Sequence, residues 1–356
     1  DHRDLHSFPT RRSSDLDESG LLSKNHEIFA YSILIFLPII LFFIAFMVGR
    51  YPITPIQVIQ TILSPIFPNL AVSPTISSIV FDVRLPRIIA AVLVGASLSI
   101  AGATFQGLFK NPLVSPDLLG VSNGAGFGAA LAILFSAGNF FIQLSSFIFG
   151  LISVSITYLI SKSYKIEGTL LLVLSGIAVS AFFNALISGT KFLADPYDKL
   201  PEIVFWLMGS LGKVTTDQLL MILIPMFIGL VIILLLRWHL NLLSMGDDEA
   251  QSLGLNPNCL RIILIFACTL VTSAGVSISG VIGWIGLVVP HITRMIVGPD
   301  HKLLLPASLS IGASFLLLID TISRTVIAIE IPLGILTALI GVPIFLYLLR
   351  KGYSQW

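Results

Sequence analysis

Long runs of apolar residues, separated by short polar connections, dominate the sequence. A helix that crosses a bilayer needs ~20 mostly apolar residues. The runs are continuously apolar and lack the two-residue alternation of barrel strands, so they predict helices. Ten segments of this kind are predicted: 28–49, 88–109, 118–136, 140–160, 169–190, 219–236, 262–279, 281–297, 303–322 and 331–349.

The overall composition agrees with this pattern. Hydrophobic residues make up 55% of the chain, charged residues 11%, and the mean hydropathy is +0.97. A soluble domain carries about 25% charged residues. These values exclude a soluble globular domain and predict an all-α, polytopic membrane protein with ten transmembrane helices.

The distribution of Lys and Arg predicts which end of each helix faces the cytoplasm. Cytoplasmic segments of membrane proteins carry an excess of these residues. With the N-terminus inside, 13 of the 20 Lys and Arg residues fall on the inner side. An even number of helices then places both termini in the cytoplasm.

The first 27 residues differ from the rest of the chain. Residues 1–27 are polar and charged, and their apolar content is too low for the core of a signal peptide. They are interpreted as a disordered cytoplasmic tail or as an artefact of sequence assembly. No linker divides the remainder, so residues 28–356 are predicted to form one transmembrane domain.

Motifs for catalysis and metal binding are missing from the sequence. There is no GxxxxGK[ST] phosphate loop and no HExxH motif, and Cys259 and Cys268 lack the spacing of a metal site. The net charge of +1 gives no indication of a nucleic-acid partner. The chain is therefore predicted to be no enzyme, to bind no metal or cofactor, and to depend on a partner for any ATP hydrolysis.

The inner connection between the sixth and seventh segments contains the run MGDDEAQSLGL. Acidic residues favour the N-terminus of a helix and glycine favours its C-terminal cap, so the run predicts a short capped helix in the cytoplasm. The alternative is a simple connector. The residues of interest are Gly246, Asp247, Asp248, Glu249, Ala250, Leu253 and Gly254.

Two glycine series are interpreted as surfaces for close helix packing. Small residues at regular spacing let a neighbouring helix approach closely in lipid. The first series lies in the third segment and the second at the start of the eighth, each predicted to form one bare helix face. They are Gly120, Gly124 and Gly128, and Gly280, Gly283 and Gly286.

Three arginines are predicted on the outer side: Arg84, Arg87 and Arg324. Their positive charge opposes the usual insertion bias, which favours a functional reason for their presence. The alternative explanation is structural. The arginine side chains would extend from helix ends to the membrane–water interface, and Arg324 would pair with Asp320 at four-residue spacing.

Polar residues within the predicted helices are few: Gln106, Asn123, Asn184 and scattered Ser and Thr. No ionisable residue is predicted mid-membrane in the first seven helices, which counts against a proton- or sodium-driven transporter. The scarcity of polar and ionisable residues suits a channel that holds its substrate weakly.

The segments RLPR, GATFQGLFKNPL, LLGVSNGAG, GLVVPH and IPLGILTALIGVPIFLYLL resemble the permease subunit of ABC importers for ferric siderophores, haem and vitamin B12. The resemblance extends over residues 28–352. It implies the inverted-repeat fold of type II importer permeases in the cytoplasmic membrane of a prokaryote. It also implies a homodimer, two cytoplasmic ATPase subunits that hold ATP and Mg²⁺, and an extracytoplasmic substrate-binding protein.

The same resemblance implies roles for individual residues. The 246–254 run would couple to the ATPase, and the three outer arginines would dock the binding protein. Gly168 and Thr169 would form the inner gate, with Asn184 along the pathway, although the sequence alone favours an ordinary tight turn at residues 165–169. The substrate, whether siderophore, haem, cobalamin or molybdate, is left open. The alternative functions are a secondary transporter or channel without an ATPase, and then a membrane-embedded enzyme.

Overall fold

The computed structural model describes residue 32 and residues 34–70, 72–163 and 169–352. Within these residues the chain is helical and contains no strand. The helices of the first half are α1 (Leu34–Met47), α2 (Pro55–Leu63), α3 (Pro74–Ser78), α4 (Leu85–Leu108), α5 (Val121–Leu134), α6 (Asn139–Ser163), α7 (Thr169–Leu193) and α8 (Lys199–Leu207). Those of the second half are α9 (Thr216–Met245), α10 (Asp247–Ser252), α11 (Pro257–Ser279), α12 (Ile285–Val297), α13 (His301–Ser323) and α14 (Leu333–Gly352).

Six helical stretches among the described residues are long and apolar enough to cross a membrane. They are Pro74–Leu108, Asn139–Ser163, Leu170–Leu193, Thr216–Met245, Pro257–Ser279 and His301–Ser323. Four shorter apolar helices, α1, α5, α12 and α14, occupy the positions of the remaining predicted segments. The helical fold predicted from the apolar runs is therefore confirmed.

Helix α4 lies at the centre of the bundle and packs against α9, α11, α12 and α13. Small residues permit this arrangement. A Cβ atom added to Gly95 would lie 2.3 Å from the carbonyl oxygen of Gly312, and one added to Gly102 would lie 1.9 Å from that of Gly286. The helix backbones therefore touch, which maximises van der Waals contact where lipid provides no hydrophobic driving force.

The short helices α5 and α12 each follow an irregular stretch inside the bundle. The residue before α5 is Gly120, with φ of +87°, and the residue before α12 is Trp284, with φ of +71°. At 1.5 Å per residue both helices are about 20 Å long, less than the ~30 Å of the hydrocarbon core. Irregular backbone at this depth is tolerated only where protein or a cavity surrounds it.

Several boundaries differ from the predicted ones. Helix α9 continues through Arg237 to Met245, nine residues beyond the predicted end at 236, because it passes from the apolar region into the cytoplasm without a helix breaker. At its outer end, α4 is preceded by a continuous π-helical segment, Ile79–Arg84, rather than starting at 88. A further short helix, α8, lies between α7 and α9. The predicted tract 1–27 lies outside the described residues.

Candidate functional site

The inner run 246–254 forms the short helix α10 with a defined C-terminal cap. Gly254 has φ of +82°, a left-handed conformation that glycine adopts without strain. The N–H of Leu255 donates to the carbonyl of Ala250 at 3.0 Å, and that of Gly254 donates to Gln251 at 2.9 Å. This pair of hydrogen bonds is a Schellman cap. The capped helix predicted from the sequence is confirmed.

One face of α10 is anchored to the bundle and the other is open. Ala250 is fully buried, and Asp247 forms an ion pair of 2.5 Å with Arg261 at the start of α11. Leu253 is 61% exposed, and Met245 at the end of α9 is 66% exposed. Ala250 and Leu253, the two apolar residues of this run, therefore lie in different environments. Ala250 packs into the bundle, whereas Leu253 is exposed because the cap turns it away from the core. Asp248 and Glu249 are exposed beside it.

A polar cluster connects α9, which leads into α10, to the start of α13. The side-chain amide of Asn241 donates to Asp300 at 2.6 Å, and its oxygen accepts the backbone N–H of His301 at 2.9 Å. The backbone N–H of Lys302 and the amide of Asn241 both donate to the Asp300 carboxylate, which holds its pKa below the usual value. These contacts fix the end of α9 against α13.

The three outer arginines lie inside the protein. Arg84 is 4% exposed, and Arg87 and Arg324 are each 6% exposed. The guanidinium of Arg87 donates to Asp320 at 2.9 and 3.1 Å and to Glu330 at 2.9 Å. Arg324 forms an ion pair of 3.6 Å with Asp320 and donates to the carbonyl of Ala45.

Arg84 holds the end of α1 against the bundle. Its guanidinium donates to the carbonyl oxygens of Phe46 and Tyr51. The side chains of Arg84, Arg87 and Arg324 are buried and directed at internal acceptors, so they join α1, α4, α13 and the 324–332 connection at the outer end. The docking role expected for these arginines stays a prediction. The Asp320–Arg324 pair predicted by spacing is present.

Glu330 is a member of this cluster that the sequence analysis missed. Burial would raise the pKa of Glu330, but the hydrogen bond and the charge of Arg87 outweigh it and lower the pKa. The sequence signal for this role was a single acidic residue, Glu330, within the outer connection SRTVIAIEIP. It needed a cationic partner to be meaningful, and that partner lies 243 residues away in sequence.

The first glycine series packs against α6. A Cβ atom at Gly124 would lie 2.5 Å from the carbonyl oxygen of Phe149, and one at Gly128 would lie 2.4 Å from that of Ser145. Gly120 precedes the helix, and its carbonyl accepts the hydroxyl of Ser153 at 2.8 Å. Gly124 and Gly128 thus let the backbones of α5 and α6 meet.

The second glycine series does not form one helix face. Gly280 ends α11 with φ of +69°, Gly283 lies in the extended connection with no atom within 4 Å of a Cβ position, and Gly286 lies in α12. The predicted helix 281–297 begins only at Ile285, because the left-handed Trp284 breaks the helix there. Gly286 lies close to α4, whereas Gly280 lies against the end of α8, where a Cβ atom would be 2.2 Å from the carbonyl oxygen of Trp206.

Asn184 lies on an exposed face of α7 that carries small and polar side chains. This face includes the exposed residues Ala178, Ala181, Ala185, Ser188 and Gly189, together with the exposed large apolar residues Leu174 and Ile177. The hydroxyl of Ser188 donates to the carbonyl of Asn184 at 3.0 Å. Gly168 lies outside the described residues, and Thr169 begins α7. A group of three or more potential metal ligands is absent from the described part of the chain.

Comparison with known proteins adds a second line of evidence. The model of the FecCD transport family matches residues 36–351. The chain is 41% identical over 308 residues to the molybdate import system permease protein MolB of Haemophilus influenzae, covering 86% of this chain and 91% of MolB. It is 43% identical over 277 residues to a probable iron chelatin transport system permease protein of Helicobacter pylori, covering 78% and 84%.

A solved structure has the same fold. It is described as an inward-facing conformation of a metal-chelate type ABC transporter. The TM-score is 0.82 and the sequence identity 38%, and the match covers 91% of this chain and 99% of the other.

Proposed function

Because this chain belongs to the FecCD transport family, we propose that it is the permease subunit of an ATP-driven importer that moves a ferric siderophore or similar metal chelate across the cytoplasmic membrane of a prokaryote. The observation that carries the proposal is the inner helix α10, rigidly capped and anchored, with apolar side chains left open to the cytoplasm. Hydrolysis of ATP, with its Mg²⁺, belongs to two partner ATPase subunits.

Helix α10 has the properties of a coupling element. Met245 and Leu253 expose apolar surface in a water-filled compartment, which marks a contact site for another protein. Ala250 and the Asp247–Arg261 pair fix the helix to α9 and α11. A force applied by the ATPase to α10 therefore reaches two long helices of the bundle.

The fold of the proposed permease is a ten-span inverted repeat of the type II importer class. In it, helices α4 to α7 correspond to α11 to α14. Three observations support this pairing: α4 and α11 are each buried over most of their length, α5 and α12 are each short, and both short helices follow a residue with positive φ. Inverted repeats place the substrate path at the interface of moving units.

A homodimer brings the exposed face of α7 against a second copy or against the substrate path. Besides the large apolar residues expected against lipid, this face carries Ala181, Asn184 and Ser188. Polar groups at membrane depth face a protein interior or a water-filled cavity. The inner gate at Gly168 and Thr169 belongs to the same proposal, since α7 begins there. An extracytoplasmic binding protein delivers the substrate from outside.

The substrate class rests on the relatives. One is named for molybdate import and another for iron chelatin transport. A metal chelate suits the weakly polar α7 face, because a substrate wrapped in its ligand needs passage rather than tight coordination. A direct uptake assay with the cognate binding protein distinguishes a ferric siderophore from molybdate.

Substitution at Leu253 tests the proposal. The Leu253→Asp variant removes the apolar side chain and puts a charge on the permease surface that would contact the ATPase. We therefore expect loss of ATPase co-purification and of uptake. The matched control Leu253→Met keeps an apolar side chain at the same place and retains both. Normal ATPase binding and uptake in Leu253→Asp would refute the coupling role. Uptake into proteoliposomes without any ATPase, driven by an ion gradient, would instead support a secondary transporter.

A further inference from the structure

A cavity of about 400 Å³ opens at the outer end of the protein, apart from the exposed face of α7. It lies between the end of α5, the starts of α6 and α9, helix α8, the end of α11 and the 330–332 connection. Its lining is mixed, with Phe205 and Trp206 beside polar and charged side chains. None of these residues takes part in the proposed coupling or in the α7 face.

Charges of both signs line this cavity. Lys213 is exposed and forms no ion pair among the described residues. Glu330 uses Oε1 for Arg87, and its Oε2 lies against Gly212, where a Cβ atom would be 2.7 Å away. The cavity is therefore lined by the unpaired ammonium of Lys213 and by Glu330 Oε2, a carboxylate oxygen that accepts no hydrogen bond from the described residues.

Gln143 provides a buried acceptor in the same wall. It is 2% exposed, and its amide nitrogen donates to the carbonyl of Gln218 at 2.9 Å. Its Oε1 atom has no hydrogen-bond partner among the described residues. A buried polar atom without a partner destabilises the protein, so this oxygen favours a ligand that can donate a hydrogen bond.

A second cavity, of about 490 Å³, continues from the first along the surface of the bundle. The two share Gln143 and Ser277. The second is almost wholly apolar and is lined by Leu144 and Phe147 of α6, Ile224 and Ile228 of α9, and Phe266 and Leu270 of α11. From Met221 to Ile228 it follows α9 for about 10 Å at 1.5 Å per residue.

We propose that these two cavities together bind one phospholipid of the outer leaflet, with a headgroup that carries a primary ammonium, as in phosphatidylethanolamine. The ammonium donates to Gln143 Oε1 and Glu330 Oε2, the phosphate pairs with Lys213, and one acyl chain lies in the groove between α6 and α9. The site thus matches both ends of an amphiphile: a cavity with paired charges and a dry channel that leads away from it.

The hydrogen-bonding groups select this headgroup among common lipids. A choline headgroup has the same charges but no N–H, so it would leave the buried acceptor unpaired. A glycerol headgroup has hydroxyl donors but no cation for Glu330. Sites built to hydrogen-bond a ligand discriminate strongly against analogues that lack the donor. We expect retention of the ethanolamine lipid over the choline lipid by about tenfold, which corresponds to ~1.4 kcal/mol.

Native mass spectrometry of the full-length protein tests the proposal. The protein is purified in mild detergent, and equimolar phosphatidylethanolamine, phosphatidylcholine and phosphatidylglycerol of identical acyl chains are added. The expected result is one retained ethanolamine lipid per chain. Equal retention of the three lipids by the wild-type protein would overturn the proposal without any variant.

Two pairs of variants locate the site. Ile224→Trp fills the groove and Lys213→Gln removes the phosphate contact, so both should lower retention of the ethanolamine lipid by about tenfold, or ~1.4 kcal/mol. The controls are Leu235→Trp, exposed on α9 three turns further in, and Lys191→Gln, at the outer end of α7. Unchanged retention in both test variants, or equal losses in the controls, would contradict the assignment. Circular dichroism spectra establish that each variant is folded.

Discussion

At the scale of single residues, the outer cluster shows how neighbours decide what a charge does. Arg87 is buried, and its charge is compensated by two carboxylates, Asp320 and Glu330. A buried ion pair contributes modest net stability, but removing one partner leaves an uncompensated charge. The cluster therefore acts as a clamp on the outer ends of α1, α4 and α13.

The first prediction concerns this clamp. Arg87→Met keeps the length of the side chain but leaves Asp320, which is fully buried, without its closest cation. Loss of one partner from a buried pair costs about 3–5 kcal/mol, so the variant should unfold at a clearly lower temperature in detergent. Arg50→Met is the control, because Arg50 is exposed near the same end. Equal melting temperatures for the two variants would contradict a structural role for Arg87.

The second prediction is a pH dependence carried by Glu330. Its pKa in the folded protein is lowered, so its contribution to stability is complete above the unfolded value of about 4.3 and is lost as pH falls through the folded pKa. Wild-type stability should therefore fall more steeply below about pH 4.3 than that of Glu330→Gln, which has no charge to lose. Melting curves from neutral to acidic pH measure this difference. Parallel curves for the two proteins would show that the Arg87–Glu330 pair contributes nothing.

At the scale of helices, glycine spacing alone does not define a packing face. Gly124 and Gly128 lie within one helix and meet α6, as their four-residue spacing predicts. Gly283 and Gly286 have a similar spacing, but a helix begins between them, and only Gly286 touches a neighbour. The start of α12 depends on Trp284 in a left-handed conformation, which a sequence pattern does not reveal.

The third prediction separates these two glycines. In Gly286→Ala the new methyl group would lie 2.9 Å from Pro116 Cδ and 3.0 Å from the carbonyl oxygen of Leu98, so α12 must shift away from α4. Overpacking of this kind costs typically about 1–3 kcal/mol. Gly283→Ala, which meets no atom within 4 Å, serves as the matched control and should melt like the wild type. A Gly283→Ala variant as unstable as Gly286→Ala would mean that the connection packs more tightly than the structure shows.

At the scale of the whole molecule, the single chain leaves two kinds of surface unexplained by its own contacts. One is the surface around Leu253 and Met245 beside α10, and the other is the exposed face of α7 around Asn184. The remaining exposed surface of α9, which carries Ile224, Phe227 and Leu235, is large and apolar, as expected against lipid. The two exceptions fit an assembly in which partners cover the inner end and one lateral face.

The fourth prediction tests the lateral face. Asn184→Cys should form a disulfide crosslink with its twin in the assembled transporter, because the proposed dimer axis passes along α7. Thr169→Cys, at the proposed gate, should crosslink in one nucleotide state and lose the crosslink in another. Leu159→Cys, exposed on α6, is the control and should not crosslink. Absence of crosslinks at both α7 positions in every nucleotide state would remove this face from the dimer and the pathway.

The sequence by itself determined the class of the protein and much of its helical pattern, because apolar runs in lipid can satisfy their backbone only as helices. It also determined the cap of α10, since acidic residues and Gly254 act locally. Contacts between distant residues were decided only by the tertiary structure. Arg87 meets Glu330 across 243 positions, and this contact makes the arginine part of an internal clamp. The cavity at Gln143 likewise exists only where five helices converge, because no local pattern records the gap that packing leaves.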